Sequence, residues 1–212
     1  WDLQSQIREE VSFTKGRIIV RGKVHSRGEK KRADYILYYK SNIPLAIVEA
    51  KDNNHNVGDG IQQAIGYAEN LNIPFAFSSN GDAFLFHDRT GLSNKIEEEL
   101  TLENFPSPSK LWALYCKYKN INSEKERLTI ETSYHKDGSS RSPRYYQVSA
   151  INNVIEAVAK GKDRIMLVMA TGTGKTYTAF QIIWRLWKSK TKKRILFLAD
   201  RNILVDQTKN ND

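Results

Sequence analysis

Three side chains whose types and spacing suit chemistry lie early in the chain. Glu49 and Lys51 flank Ala50 at the end of the apolar run NIPLAIVEAK, and Asp34 lies upstream in RADYILYY. In a strand, residues i and i+2 emerge on one face, so Glu49 and Lys51 point the same way. Placing an acid and a base in an apolar element is costly unless they are paired, bound, or at an open strand end. A short turn at Asn42 to Pro44 makes RADYILYY and PLAIVEAK neighbouring strands, which brings Asp34 close to the pair. Two carboxylates held together repel, and a divalent cation relieves that repulsion. Mg²⁺ held by Asp34 and Glu49 would activate water and neutralise charge on a phosphodiester, with Lys51 orienting the water or stabilising the developing oxyanion.

A second constellation, MATGTGKT at residues 169–176, stands between an expected strand and an expected helix, the setting a phosphate-binding loop requires. Gly172 and Gly174 let the backbone turn its N–H groups toward a phosphate, and the helix start adds a positive dipole end. Within the run Thr171-Gly172-Thr173-Gly174, Lys175 and Thr176, the lysine would reach the β- and γ-phosphates and the Thr176 hydroxyl would hold Mg²⁺. Met169 stands where the first glycine of the common loop pattern would be.

The elements that must position these groups follow from periodicity. Leu3, Ile7 and Val11 have helical spacing, which predicts a helix over the first dozen residues. Strands are expected at GRIIVRG, RADYILYY and PLAIVEA. An amphipathic helix is expected over residues 58–71, carrying Gln63 and Tyr67 four apart on one face. IPFAFSSNG and AFLFHD read as two strands turning at Asn80-Gly81, and SKLWALYCKYK as a helix. From about Ile121 to Ser142 the chain turns polar and aperiodic, and the boundary between two domains is expected there. RYYQVSAINNVIEAVAKGKD then predicts a helix. The strand RIMLVM, the phosphate loop, a helix through YTAFQIIWRLWKS and the strand RILFLAD follow as a βαβ unit.

Composition sets outer limits. The chain has 212 residues, 40% hydrophobic and 27% charged, with a net charge of +9, which favours a polyanionic partner such as nucleic acid. No apolar run approaches the roughly 18–20 residues of a membrane span. Cys116 stands alone, so no internal disulfide forms, in keeping with a reducing cytoplasm. The histidines lack zinc-ligand spacing. RGKVHSRGEKKR, dense in Lys and Arg, is a candidate phosphate-contacting hairpin. The chain begins at Trp1 and stops in DQTKNND, and it reads as a piece of a longer protein.

Asp34 with Glu49-Ala50-Lys51 resembles the PD-(D/E)xK nucleases, with Ala33 in place of their proline. Gln63 and Tyr67 are similar to a Q-x-x-x-Y helix in the RecB-like and type I restriction members, where the pair helps position the lysine or DNA. The loop resembles motif I of superfamily 2 helicases and translocases. Gln147 in RYYQVSAI sits where those proteins carry an adenine-reading glutamine, and ILFLADRNILVDQ resembles their motif Ia. Taken together, the chain resembles the N-terminal part of the motor and restriction (R) subunit of type I restriction–modification enzymes.

That resemblance implies an α/β architecture. A nuclease-like mixed sheet flanked by helices (1–122) and a linker (123–143) would be followed by the start of a RecA-like domain with parallel strands (144–212). It implies Mg²⁺ and ATP as cofactors, double-stranded DNA as substrate, and methylation (M) and specificity (S) subunits as partners, in a bacterial or archaeal cytoplasm. It makes Asp34, Glu49, Lys51, Gln63 and Tyr67 the nuclease residues and Gln147 with Thr171–Thr176 the nucleotide site, with Glu9 or Glu10 as a further acid. No D-E-x-H-like strand or second lobe follows, so these residues are expected to bind ATP weakly and hydrolyse it poorly. Two alternatives stay open: a helicase or remodeller whose nuclease-like domain is inactive and binds DNA, and a small-molecule P-loop kinase or ATPase.

Overall fold

The computed structural model describes residues 1–14, 18–21, 24–27, 29–93, 95–136, 138 and 142–198. The chain divides into two compact units, Trp1–Asn120 and Ile121–Asp212.

The first unit is built on a six-stranded sheet. Its strands are β1 (Ile7–Thr14), β4 (Lys30–Tyr38), β5 (Pro44–Ala50), β6 (Phe75–Ser79), β7 (Ala83–Asp88) and β8 (Glu97–Thr101), in that spatial order. A separate two-stranded sheet pairs β2 (Ile18–Arg21) with β3 (Val24–Arg27). All neighbours in the large sheet are antiparallel except β5 and β6. A parallel pair needs a crossover, and helix α1 (Ile61–Leu71) supplies it. β5 and β6 lie at the sheet's centre and are apolar on both faces: Leu45, Ala46, Ile47, Phe75, Ala76 and Phe77 are all fully buried. Helix α2 (Pro108–Tyr118) starts with Pro108 after the Ser107 cap and buries Leu111, Trp112 and Tyr115; Trp112 stacks on Tyr39 at 4.7 Å.

One expectation changes here and one strand is new. The N-terminal segment is strand β1, not a helix. Ile7, Val11 and Phe13 also alternate with Arg8, Glu10 and Ser12, and pairing with β4 selects that period, leaving Leu3 77% exposed. The hairpin at Asn80-Gly81 forms as expected, with Gly81 at φ 94° and the Asn80 side-chain Oδ1 accepting from the Asp82 and Ala83 amides. β8, an acidic edge strand with no buried residue to announce it, was not foreseen. The expected strand at GRIIVRG and most of the basic stretch after it coincide with the β2–β3 ribbon, while Lys30, Lys31 and Arg32 belong to β4. Residues 15–17, 22–23 and 28, and the ribbon's side chains, lie outside the described residues, so the phosphate-contact expectation there does too.

The second unit contains helices α3 (Glu124–Glu131), α4 (Tyr145–Ala159) and α5 (Lys175–Lys188). α3 occupies the stretch expected to be an aperiodic linker. It is nucleated by a capping box in which Glu126 N donates to Ser123 Oγ while the Glu126 carboxylate accepts from Ser123 N. The fully buried Arg185 of α5 ties these helices together, donating to Ile130 O at 2.6 Å and Asn152 Oδ1 at 2.8 Å. The segment after α3 is held to α5 by Gln181, whose amide exchanges two hydrogen bonds with the His135 backbone.

The expected parallel strands at RIMLVM and RILFLAD are not formed among the described residues. RIMLVM nevertheless keeps a strand's two-residue alternation. Ile165, Leu167, Met169, Ile195 and Phe197 line a cavity against Val154 of α4 and Ile182 and Ile183 of α5. Met166, Val168 and Leu198 point out, each at least 80% exposed, whereas Leu196, equally exposed, also borders the cavity. Without a hydrogen-bonded ladder the sequence pattern sets the faces but not a sheet.

Candidate functional site

β4 and β5 run antiparallel with Tyr35 opposite Val48, so the next residues along, Asp34 and Glu49, face each other across the pair. Each carboxylate bonds to the partner strand's backbone. Asp34 N donates to Glu49 Oε1 at 3.2 Å, and Ala50 N donates to Asp34 Oδ2 at 2.9 Å. Lys51 continues the parallel side of the ladder, its N–H donating to Ser79 O at 2.8 Å. Glu49 is fully buried while Asp34 and Lys51 are partly exposed, so the cluster sits at a strand end with one wall of protein and one of solvent.

Helix α1 closes the wall. Gln63 Nε2 donates to Glu49 Oε2 at 2.5 Å and lies 3.1 Å from Tyr67 Oη, so the i, i+4 pair expected on one helix face meets the strand acid. The Tyr67 ring packs edge-on against Phe13 at 5.1 Å, with Lys31 Nζ 5.3 Å from its centre. Burial pushes the Glu49 carboxyl from 4.5 up to about 7, and the Asp34 charge adds to the rise, while the Asp34 N–H and Lys51 work against it. Burial, followed by the Glu49 charge, raises Tyr67, which stays a phenol.

Five residues predicted for this centre, Asp34, Glu49, Lys51, Gln63 and Tyr67, therefore gather at one strand end. Glu10 lies across from Asp34 on β1, between the pairs Glu9–Tyr35 and Val11–Ala33, in a left-handed conformation at φ 51°. Its exposed carboxylate pairs with Arg32 at 3.1 Å. Sequence reasoning missed Gly60 and Ser78: Gly60 N donates to the buried Ser78 Oγ at 3.0 Å directly behind Glu49. A glycine just before a helix and a serine in an apolar strand were the available signals.

The candidate metal ligands Asp34 and Glu49 fit a hard dication. Two carboxylates converge where burial opposes an uncompensated charge, and Mg²⁺ needs only one or two protein carboxylates because it keeps its own waters. Among the described residues no group of three or more His, Cys, Asp or Glu side chains could hold a metal ion.

In the second unit, the expected phosphate loop turns at Gly172 (φ 77°) and Gly174 (φ 80°) and enters α5 at Lys175. Lys175 Nζ lies 3.3 Å from Ala170 O, and Thr173 Oγ1 donates to the same carbonyl at 2.6 Å. Gln147 is buried on α4. Its Oε1 accepts from Arg144 N and its Nε2 donates to Thr173 O, both at 2.9 Å. A Cβ at Gly174 would run into that amide. The primary amide keeps a second N–H and a second lone pair, so its donor and acceptor capacity is only half used by these two bonds. Thr171 and Thr176 complete the loop, Thr176 in the first turn of α5.

Comparison with known proteins agrees along both units. Residues 3–106 match the family described as type I restriction enzyme R protein N terminus, and residues 140–211 match the type III restriction enzyme res subunit family. The endonuclease subunit of the type I restriction enzyme EcoAI from Escherichia coli is 58% identical across the whole chain, which covers 26% of that relative. The EcoKI endonuclease subunit from E. coli K12 is 28% identical over 85% of the chain and 19% of the relative. The chain thus spans about a quarter or less of these relatives' length. Among solved structures, a fragment assigned to the HsdR subunit of a type I restriction enzyme from Vibrio vulnificus YJ016 matches with TM-score 0.70 and 43% identity. It covers 87% of this chain and 34% of that one.

Proposed function

The chain is homologous to the N-terminal region of the type I restriction enzyme endonuclease (R) subunit, and from that premise we propose that residues 1–122 are a Mg²⁺-dependent PD-(D/E)xK-type nuclease domain acting on double-stranded DNA. Residues 144–212 open a RecA-like ATPase, joined through 123–143. In the full-length protein, cutting is coupled to ATP-driven translocation within a complex that also holds methylation and specificity subunits.

The observation that carries the reading is the cross-strand pair Asp34–Glu49 bridged by Gln63 to Tyr67. Asp34 and Glu49 would hold Mg²⁺, which supplies a Lewis acid for the phosphodiester and a lowered pKa for water. Gln63 holds one oxygen of Glu49 in place, and the Tyr67 hydroxyl beside it fixes the amide's direction. Lys51, next to both acids in the strand, orients the attacking water or offsets charge on the phosphorane oxygens. In the ATPase unit, Lys175 and the loop N–H groups would take the phosphates, Thr176 would hold Mg²⁺, and Gln147 would offer adenine its unused donor and acceptor.

Glu49→Ala and Lys51→Ala are expected to abolish DNA cleavage by the full-length protein in its complex while leaving its ATPase activity in place. Cleavage at the wild-type rate by either variant would refute the nuclease assignment.

A further inference from the structure

Glu49 pairs with Ser78 in the parallel ladder between β5 and β6, and Ser78 is fully buried. The Ser78 hydroxyl accepts from Gly60 N, the residue that opens α1. That helix has no side-chain N-cap of its own, so a hydroxyl from the neighbouring strand anchors its start. Gly60 has φ −88°, which any residue adopts, so its identity is a matter of space. A Cβ there would lie 2.7 Å from Ser78 Oγ and 3.2 Å from Glu49 Cβ.

Gln63 follows three residues later, under one helical turn, about 4.5 Å up the axis. Its amide meets Glu49 Oε2 at 2.5 Å. A slide of the helix start by about 1 Å would stretch that contact out of good hydrogen-bonding range. Both ends of the contact are therefore referenced to one point: Glu49 through its strand pairing with Ser78, and Gln63 through the Gly60–Ser78 bond.

We propose that Ser78 and Gly60 are positioning residues that set the Glu49–Gln63 contact of the nuclease centre, a step that rests on the function proposed above. Neither belongs to the D…E-x-K or Q-x-x-x-Y pattern.

The test is single-turnover cleavage by the full-length protein in its complex, read as rate constant, amplitude and half-saturating DNA concentration. Ser78→Ala is expected to lower the rate constant tenfold or more with amplitude and DNA concentration dependence unchanged. Gly60→Ala should lower it as well. The double variant should be no slower than the slower single one, because both changes undo the same tie. A wild-type rate constant for Ser78→Ala, or a loss of amplitude alone, overturns the proposal. Should the variants fail to fold, amide exchange in the wild-type protein decides: the Gly60 N–H is expected to be as protected as those of β5, and free exchange there overturns the tie. Glu49→Gln in the same assay separates the two claims. Cleavage by Glu49→Gln removes the nuclease reading itself, whereas an inactive Glu49→Gln beside a fully active Ser78→Ala removes only the positioning role.

Discussion

Replacing Glu49 by Gln tests the electrostatics of the centre apart from its catalysis. The carboxyl is raised from 4.5 to about 7, chiefly by burial and then by the Asp34 charge. Folded Glu49 therefore keeps its proton to higher pH than the unfolded chain does, so the folded state binds more protons between those two values. Stability contributed by this site is fully present below about pH 4.5, falls as pH rises to 7, and stays low above it. The full shift corresponds to about 3 kcal/mol, and solvent screening of the partly exposed Asp34 charge lowers that to about 2 kcal/mol. Gln has the same shape and no charge, so Glu49→Gln should match the wild type at pH 4.5 and be about 2 kcal/mol more stable at pH 8 without divalent cations. Amide exchange of β5, corrected for intrinsic rates at each pH, reads the difference. Adding Mg²⁺ at pH 8 should stabilise the wild type and leave the variant unchanged. A stability difference that is the same at both pH values would refute the reasoning.

Three further outcomes follow from the second unit. Lys175→Ala should abolish ATP hydrolysis, translocation and ATP-dependent cutting by the full-length protein, measured by phosphate release and plasmid cleavage. Gly174→Ala forces a side chain into a φ 80° position against the Gln147 amide, and should cost about 1–3 kcal/mol in thermal unfolding together with loss of fluorescent-nucleotide binding. Arg185→Ala removes the buried guanidinium that holds Ile130 O and Asn152, and should destabilise the second unit by about 2–4 kcal/mol, seen by denaturant unfolding.

The parts of the site that were legible in the sequence are those whose geometry is local. Glu49 and Lys51 share a face because a strand has period two, and Gln63 and Tyr67 because a helix brings i and i+4 together. Asp34 needed one further assumption, that a short turn makes its strand the neighbour of β5, and the register supports it. Features set by distant pairing were not legible. Ile7 and Val11 fit both a helical stripe with Leu3 and a strand alternation with Phe13, and pairing with β4 decides between them. Glu10 faces Asp34 for the same reason, yet its left-handed backbone and its Arg32 partner leave no trace in the sequence. Ser78 read as an unremarkable strand residue until the helix start was seen to hang from it. α3 was readable, since Ser123 and Glu126 spell a capping box, but the polar composition around them masked it. The strands expected at RIMLVM and RILFLAD show the opposite limit: alternation in RIMLVM marks which side chains turn toward the helices, while a ladder needs partners.

The central claim, that Asp34 and Glu49 form a divalent-metal centre for phosphodiester cleavage, is tested most directly by Mn²⁺ titration of the nucleotide-free chain, followed by electron paramagnetic resonance. The account predicts a saturable Mn²⁺ site in the wild type that competes with Mg²⁺ and is lost in both Asp34→Asn and Glu49→Gln. Mn²⁺ binding unchanged by either substitution, or absent from the folded wild-type chain, would contradict it and favour a nuclease-like domain that only binds DNA.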